Sequence, residues 1–355
     1  MTIYWLLFAY AALLALIYPV SARQEESWAT QTLGLLGFVL FYALVAGLRY
    51  ETGGDWETYA FIYEDIASDS LAYALTSTDP LYGLLNWVSA RIGGGVYLVN
   101  GLCALLLGYG VVRAALRLRD PWLAVMIAVP YLLIVVGMGY VRQGAAIGLI
   151  LTAIASFDQS RPLRTWFYLA LAFGFHSTAV VVLPLFAYAI ASRYRFASVA
   201  FAALAAAAYM LLLAPRIETF EAGYLESEYE SGGAAIRILM SILPSALLLL
   251  RWRHFAENAR VRSIWITMAL ANFAALAALM LSPSSTAVDR LALFYAPIQM
   301  AVFGELRDLV PLSDRFAVLM RLLLVGIAAL VQVVWLVYAT HSIYWVPYQS
   351  IVQFL

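Results

Sequence analysis

PWLAVMIAVPYLLIVVGMGYVRQGAAIGLILTAIAS, residues 121–156, is an apolar tract broken by a single charge, Arg142. The part before the arginine, Pro121–Met138, is long enough as a helix to cross roughly 30 Å of hydrocarbon. Gly144–Ser156 continues the apolar pattern on the other side, as a shorter span. A helix that is apolar on every face belongs in lipid or in the middle of a bundle. Arg142 leaves no room for a hydrated loop between the two spans. A charge that close to hydrocarbon is costly, and it normally pairs with an acid or lines a cavity.

Apolar runs recur on both sides of this tract. Hydrophobic residues make up 64% of the 355 residues and charged ones 12%, with a mean hydropathy of +0.85. Soluble chains sit nearer half apolar and a quarter charged. The candidate spans are Ile3–Val20, Thr32–Leu48, Gly95–Leu116, Pro121–Met138, Gly144–Ser156, Thr165–Gly174, Thr178–Ala191, Ala197–Leu213, Ala235–Leu250, Ile264–Leu281, Leu291–Phe303 and Ala317–Thr340. They define an all-α, polytopic transmembrane helical bundle of about twelve helices, forming one domain over residues 1–355. Val20-Ser21-Ala22 resembles a signal-peptide cleavage site, but no cation precedes the apolar core, so Ile3–Val20 reads as the first span. Tyr82–Ile92 reads as an amphipathic or re-entrant piece. Trp56, Tyr59, Phe61, Ile62 and Tyr63 interleave with Glu57, Glu64 and Asp65, the pattern of a helix lying in the membrane interface.

The chain contains no lysine, so all 21 basic residues are arginine. In one orientation fifteen of them face the cytoplasm and six face outward: Arg49, Arg91, Arg142, Arg216, Arg237 and Arg290. That asymmetry follows the positive-inside rule and places both termini outside. The acids run the other way, with outer groups at Glu51–Asp79 and Glu218–Glu230. The net charge is zero, which gives no pull toward nucleic acid. Cys103 is the only cysteine, and His176, His254 and His341 are too scattered for a metal cluster, so neither a disulfide nor a metal or other cofactor is expected. Nucleophile elbows, Walker loops and dinucleotide fingerprints are absent.

The six outer arginines stand on the face that translocation disfavours, and each needs a reason. For Arg91, Arg216 and Arg237 snorkelling to headgroups or pairing with a nearby acid is sufficient. Arg142, Arg290 (which follows Asp289) and Arg49 are candidates for binding an anion, because the guanidinium fork matches phosphate and carboxylate. Asp55 follows Gly53-Gly54, glycines that permit close backbone approach. His176 lies in Phe173-Gly174-Phe175-His176-Ser177-Thr178, between two apolar spans. Either residue suits a general base.

Taken together, Arg49…Gly53-Gly54-Asp55…Tyr59, then Arg142-Gln143 opening a span, then His176-Ser177-Thr178-Ala179, then Asp289-Arg290 resemble the EpsG family of Wzy-type polysaccharide polymerases. The resemblance runs from about Arg49 to Arg290. Asp79-Pro80-Leu81-Tyr82 departs from the family's pattern, which has a glycine before the tyrosine. The resemblance implies a GT-C-like fold in the bacterial inner (cytoplasmic) membrane, with a periplasmic active site. It implies a glycosyltransferase that moves a growing chain from its undecaprenyl pyrophosphate onto the next lipid-linked oligosaccharide repeat unit. A flippase and a chain-length regulator are the implied partners beside the bilayer. In such an enzyme Arg142 and Arg290, with Arg49, would clamp the departing pyrophosphate. Asp55 or His176 would take the acceptor proton, while Tyr59, Trp56, Tyr82 and Gln143 would face the glycan. Two other classes compete. A flippase or transporter of lipid-linked glycans would also want outer arginines, although no inverted repeat or mid-span acid is evident. A membrane acyltransferase modifying polysaccharide would use His176 as its base.

The topology is open to a direct check. In a Cys103→Ala, Phe255→Cys background, an impermeant thiol reagent should label the protein only from the cytoplasmic side. Labelling from the periplasm reverses the orientation.

Overall fold

The computed structural model describes residues 1–18, 25–158, 160–191, 233–255, 259–281 and 285–354. The expected span Ala197–Leu213, the acidic segment 216–230, and Arg23, Arg193, Arg195 and Arg216 lie outside the described residues.

Apolar sequence folds here almost wholly as helix, because backbone groups inside hydrocarbon must satisfy one another within the segment. Among the described residues the longer helices are α1 (Thr2–Ile17), α2 (Glu25–Gly47), α3 (Trp56–Ala67), α4 (Leu71–Ser77), α5 (Pro80–Arg91), α6 (Gly95–Ala115), α7 (Pro121–Gly139), α8 (Val141–Ala155), α9 (Pro162–Phe175), α10 (Leu183–Ala191), α11 (Ala234–Arg251), α12 (Ala259–Leu281), α13 (Ser285–Ala292), α14 (Ile298–Gly304) and α15 (Asp314–Val333). Among the described residues five helices are long and apolar enough to cross a membrane: Gly95–Ala115, Pro121–Gly139, Ala234–His254, Ala259–Leu281 and Asp314–Tyr338. Five more are apolar but shorter: Thr2–Ile17, Gln31–Gly47, Val141–Ala155, Leu163–Phe175 and Ser177–Phe186. Leu243, Leu281, Leu319 and Leu330 point outward from these helices. Lipid is the solvent that tolerates such a surface, and the protein is a multi-pass membrane protein.

Several expected spans differ from simple helices, two of them at prolines. Leu291–Phe303 is broken into α13, a tight turn at Leu293–Tyr295, and α14. Pro297 caps α14 and has no N–H with which to continue the ladder from α13. Within α7, Pro130 removes the hydrogen bond to Met126, and the backbone widens into a π-helical stretch over Val129–Val136.

The chain gathers into two compact units. The first comprises Met1–Ser156, Leu163–His176 and Leu312–Leu355; the second comprises Phe157–Pro162 and Ser177–Pro311. In the first unit α7 is wholly buried, as its all-round apolarity requires. α6 and α8 approach closely through Gly110, which faces Gly148, and Gly148, which faces the backbone of Leu106 and Leu107. Small residues at a crossing are the usual device for close packing in lipid, where hydrophobicity supplies no force between helices.

This unit has two distinct ends. At one, Arg321 of α15 pairs with Asp120 and donates to the carbonyls of Ala15 (2.7 Å) and Tyr18 (3.3 Å). Asp120 also caps α7, accepting from the Leu123 N–H at 3.2 Å. A cation at the C-terminus of α1 and an anion at the N-terminus of α7 both suit the helix dipoles. Arg117 donates to the Ala155 carbonyl at this same end. At the other end, strand β1 (Arg49–Tyr50) pairs antiparallel with β2 (Gln349–Ser350), and Tyr4 donates to the Trp345 carbonyl at 2.8 Å. Helices α3, α4 and α5 follow β1 directly in the chain.

In the second unit α11 buries Ile238, Ser241, Ser245 and Leu248 along one stripe. The Asn272 amide of α12 donates to Ser245 Oγ (3.3 Å) and to the Tyr295 carbonyl (3.4 Å), and Gln299 reaches Ser241 Oγ at 3.1 Å. Buried amides and hydroxyls serve here as polar glue between apolar helices.

A methyl group on Gly148 would collide with the α6 backbone, whereas Gly326 in α15 faces open space. Gly148→Ala should therefore cost about 1–3 kcal/mol through overpacking. Gly326→Ala should be neutral or stabilise by up to roughly 1 kcal/mol. Thermal unfolding in detergent measures both, and equal melting temperatures would remove the proposed contact.

Candidate active site

The site begins with the placement of an acid. Ser70 caps α4 by accepting from the Tyr73 N–H at 3.2 Å, and α5 starts with Pro80 at its first position. A side chain on Gly83 would run into the Ala74 carbonyl, so the glycine lets α4 and α5 close on each other. This brings Asp79, the residue that caps α5, into the interior at 1% exposure. Its carboxylate makes no side-chain cap hydrogen bond to that helix. Instead Asp79 Oδ2 accepts from Arg142 Nη1 at 2.9 Å and lies 3.3 Å from His176 Nδ1. Arg142 opens α8 and His176 follows α9, so one carboxylate joins three helices.

Arg142 is held on several sides. The same Nη1 donates to Thr78 Oγ1 at 3.0 Å, and Tyr59 of α3 hydrogen-bonds the side chain as well. The guanidinium lies 5.7 Å from the centre of the Tyr82 ring, and Tyr82 packs edge-on against Tyr59 at 5.9 Å. Its Nε is buried and makes no hydrogen bond among the described residues. Tyr59, Tyr82, Val99, Cys103, Val141 and Ala145 form the apolar cluster around it.

Arg49, unlike the part-exposed Arg142, is fully sealed from solvent. Nε donates to the Thr52 carbonyl at 2.9 Å, Nη1 to the Ala46 carbonyl at 2.7 Å, and Nη2 reaches Asn100 Oδ1 at 3.5 Å. The guanidinium lies 5.6 Å from the Trp56 ring. All of these partners are neutral, and among the described residues no acid pairs with Arg49. Asn100 Nδ2, also buried, makes no hydrogen bond within the protein.

The loop after Arg49 is tied to the C-terminal segment. Gly53 has φ +107, a conformation other residues rarely adopt, and its N–H donates to the Tyr344 carbonyl at 2.7 Å. The Trp345 ring packs against Gly54 and Gly139, and a side chain on Gly139 would displace it. Asp55 then caps α3 and is half-buried.

Of the residues singled out from the sequence, the first unit thus holds Arg49, Asp55, Trp56, Tyr59, Tyr82, Arg142, Gln143 and His176. Trp56, Tyr82 and Gln143 are buried, and the two aromatic rings lie beneath guanidiniums. Arg290 belongs to the second unit. There the preceding acid, Asp289, takes the fork of Arg237, with Nε at 2.9 Å and Nη2 at 2.7 Å. Among the described residues no three His, Cys, Asp or Glu side chains are grouped to hold a metal ion.

Asp79 is the member that sequence reasoning passes over. Asp-Pro is the ordinary signature of a helix start, and that local reading hides a tertiary role. The pointer to it is Arg142, since a cation wedged between apolar spans needs an acid from somewhere else in the chain.

The first unit thus brings guanidinium and imidazole groups together at the ends of apolar helices. The particular family follows from comparison: the chain belongs to the EpsG family, whose model matches residues 34–350, nearly its whole length. That family is related to the Wzy-type exopolysaccharide polymerases. No curated protein and no solved structure matches the chain.

Because Trp345 holds the Gly53–Gly54 turn, Trp345→Ala should lower stability by about 3–5 kcal/mol. It should also speed tryptic cleavage at Arg49 in the detergent-solubilised protein. Unchanged cleavage would mean that the turn stands without the tryptophan.

Proposed function

We propose that this protein is a polymerase of lipid-linked glycans, working at the periplasmic face of the bacterial inner membrane with a GT-C-like arrangement. The donor is a growing chain on a lipid pyrophosphate such as undecaprenyl pyrophosphate, and the acceptor is the next lipid-linked oligosaccharide repeat unit. The observation that carries this reading is the Asp79 carboxylate, which holds Arg142 of α8 and His176 after α9. A cation for the leaving group and an acceptor for the proton stand side by side.

The chemistry needs both. The bond between the anomeric carbon and the pyrophosphate oxygen breaks, and the pyrophosphate departs with the electron pair. The acceptor hydroxyl oxygen forms the new glycosidic bond, and its proton passes to the base. Arg142 stabilises the departing charge from a site shielded from water, where such contacts are strongest. Arg49, whose hydrogen-bond partners are neutral, adds a second positive charge. His176 is the favoured base, because Asp79 orients its ring as an acid orients a catalytic histidine elsewhere. Asp55, half-buried at the head of α3, is the second candidate. Tyr59, Trp56, Tyr82 and Gln143 face the glycan in this reading, and the three aromatic residues also support the guanidiniums. The mechanism asks for no metal. A flippase that delivers repeat units and a chain-length regulator fit as partners on the same face.

Reconstitution in liposomes with a lipid-linked repeat unit should yield a ladder of products. His176→Gln should lower the rate by about 10²-fold or more if it is the base, and Asp55→Asn should do so if the aspartate is. Arg142→Lys, which keeps the charge but loses the fork, should lose at least about tenfold in rate while the protein remains folded. A wild-type protein that makes no ladder from an authentic repeat unit would end the polymerase reading.

A further inference from the structure

We propose that Asp79 is a positioning residue that makes the basicity of His176 respond to what occupies Arg142, so that the base is strengthened when the donor's pyrophosphate is bound. This rests on the polymerase reading only for the identity of the anion.

The geometry carries the argument. A single oxygen, Asp79 Oδ2, is 2.9 Å from Arg142 Nη1 and 3.3 Å from His176 Nδ1. The acid is nearly sealed from water. Two cation-forming groups therefore share one negative charge at a place where screening is weak. While Arg142 takes the carboxylate, a proton on His176 gains little from it. Arg142 retains a buried Nε that makes no hydrogen bond among the described residues, so its fork is only partly used. A pyrophosphate that engages this fork draws the guanidinium's charge away from Asp79. The carboxylate is then left to stabilise an imidazolium, and His176 becomes the better proton acceptor.

Among the described residues, the ionisable groups coupled to Arg142 besides Asp79 include Tyr59 of α3, Tyr82 of α5 and Cys103 of α6. The phenols and the thiol are uncharged near neutrality, and an arginine keeps its charge throughout.

The coupling has a sign that separates it from a structural role. Removing the acid, Asp79→Asn, makes His176 harder to protonate. Removing the competing cation, Arg142→Gln, makes it easier. A general loosening of the fold would not move the same group in opposite directions.

The test reads His176 directly, without turnover. His254 and His341, both exposed, are replaced by Gln, and the remaining histidine is labelled with ¹³C and titrated by NMR in lipid nanodiscs. The expected result is a midpoint lowered by about one pH unit in Asp79→Asn and raised by a similar amount in Arg142→Gln. Inorganic pyrophosphate should raise the wild-type midpoint, and it should do so by less than half as much in Asp79→Asn. Asp79→Glu should restore most of the response. A midpoint unmoved by Asp79→Asn, or an equal pyrophosphate shift with and without the acid, overturns the proposal. If Asp79→Asn does not fold, wild type and Arg142→Gln decide it, and an equal pyrophosphate shift in those two overturns it. The two readings fail separately. A product ladder with an unmoved midpoint sinks the coupling alone. The expected midpoints without any ladder sink the polymerase reading and leave the coupling in place.

Discussion

A carboxylate taken almost wholly out of water carries a desolvation cost of several kcal/mol, and it persists only where neighbours return that cost through charge and hydrogen bonds. Asp79 is in that position, at 1% exposure, with Arg142 at 2.9 Å. The two burdens relieve each other: an arginine between two apolar spans and an aspartate under a helix cap are each untenable alone. Much of the first unit is arranged so that they meet. Gly83 closes α5 on α4, the side chain of Leu81 fills the space beside Gly174 of α9, and Tyr59 and Tyr82 make an aromatic floor. His176 reaches the acid from α9, so the end of that helix is placed by the same charge.

Arg49 shows a different solution to the same difficulty. Its charge is sealed in without an acid and is spread over two backbone carbonyls, an asparagine and an indole face. Carbonyl dipoles and an aromatic quadrupole stabilise a cation without cancelling it. The result is a pair of guanidiniums in one unit, one balanced by an acid and one not. Such an imbalance suits a site that must receive an anion and let it go again, since full neutralisation would leave nothing to attract it. The C-terminal segment takes part as well: β2 and Trp345 hold the turn through which the chain passes from Arg49 to Asp55.

The second unit follows another logic. Its helices are held by a run of small hydroxyls and amides, Ser241, Ser245, Asn272 and Gln299, among leucines that face lipid. Hydrogen bonds of this kind have no competition from water in the bilayer, which makes modest groups adequate for specificity. Arg237 and Asp289 form a bidentate pair there. Asp289 is thus engaged with an arginine from another helix and not simply as a neighbour of Arg290.

The membrane class and the helical fold were legible in the chain itself, because hydropathy is a local property and lipid permits few backbone solutions. The abnormal arginines were legible for the same reason, since a charge among apolar neighbours stands out in one dimension. The breaks in regular helix at Pro130 and Pro297 trace to a missing N–H that the sequence also displays. Which acid answers Arg142 was not legible. Asp79 and Arg142 are 63 positions apart, and Asp79-Pro80 carries a complete local explanation as a helix start. Nor did the sequence separate Arg49, held by neutral groups, from Arg142, held by a carboxylate. Such pairings depend on which helix ends come together, and close contacts at Gly83, Gly110 and Gly148 decide that in three dimensions. The chain by itself determined a multi-pass helical protein with cations where lipid should forbid them. Only the tertiary structure decided which charges share a partner, because the energy of a buried charge is set by neighbours in space, not by neighbours in sequence.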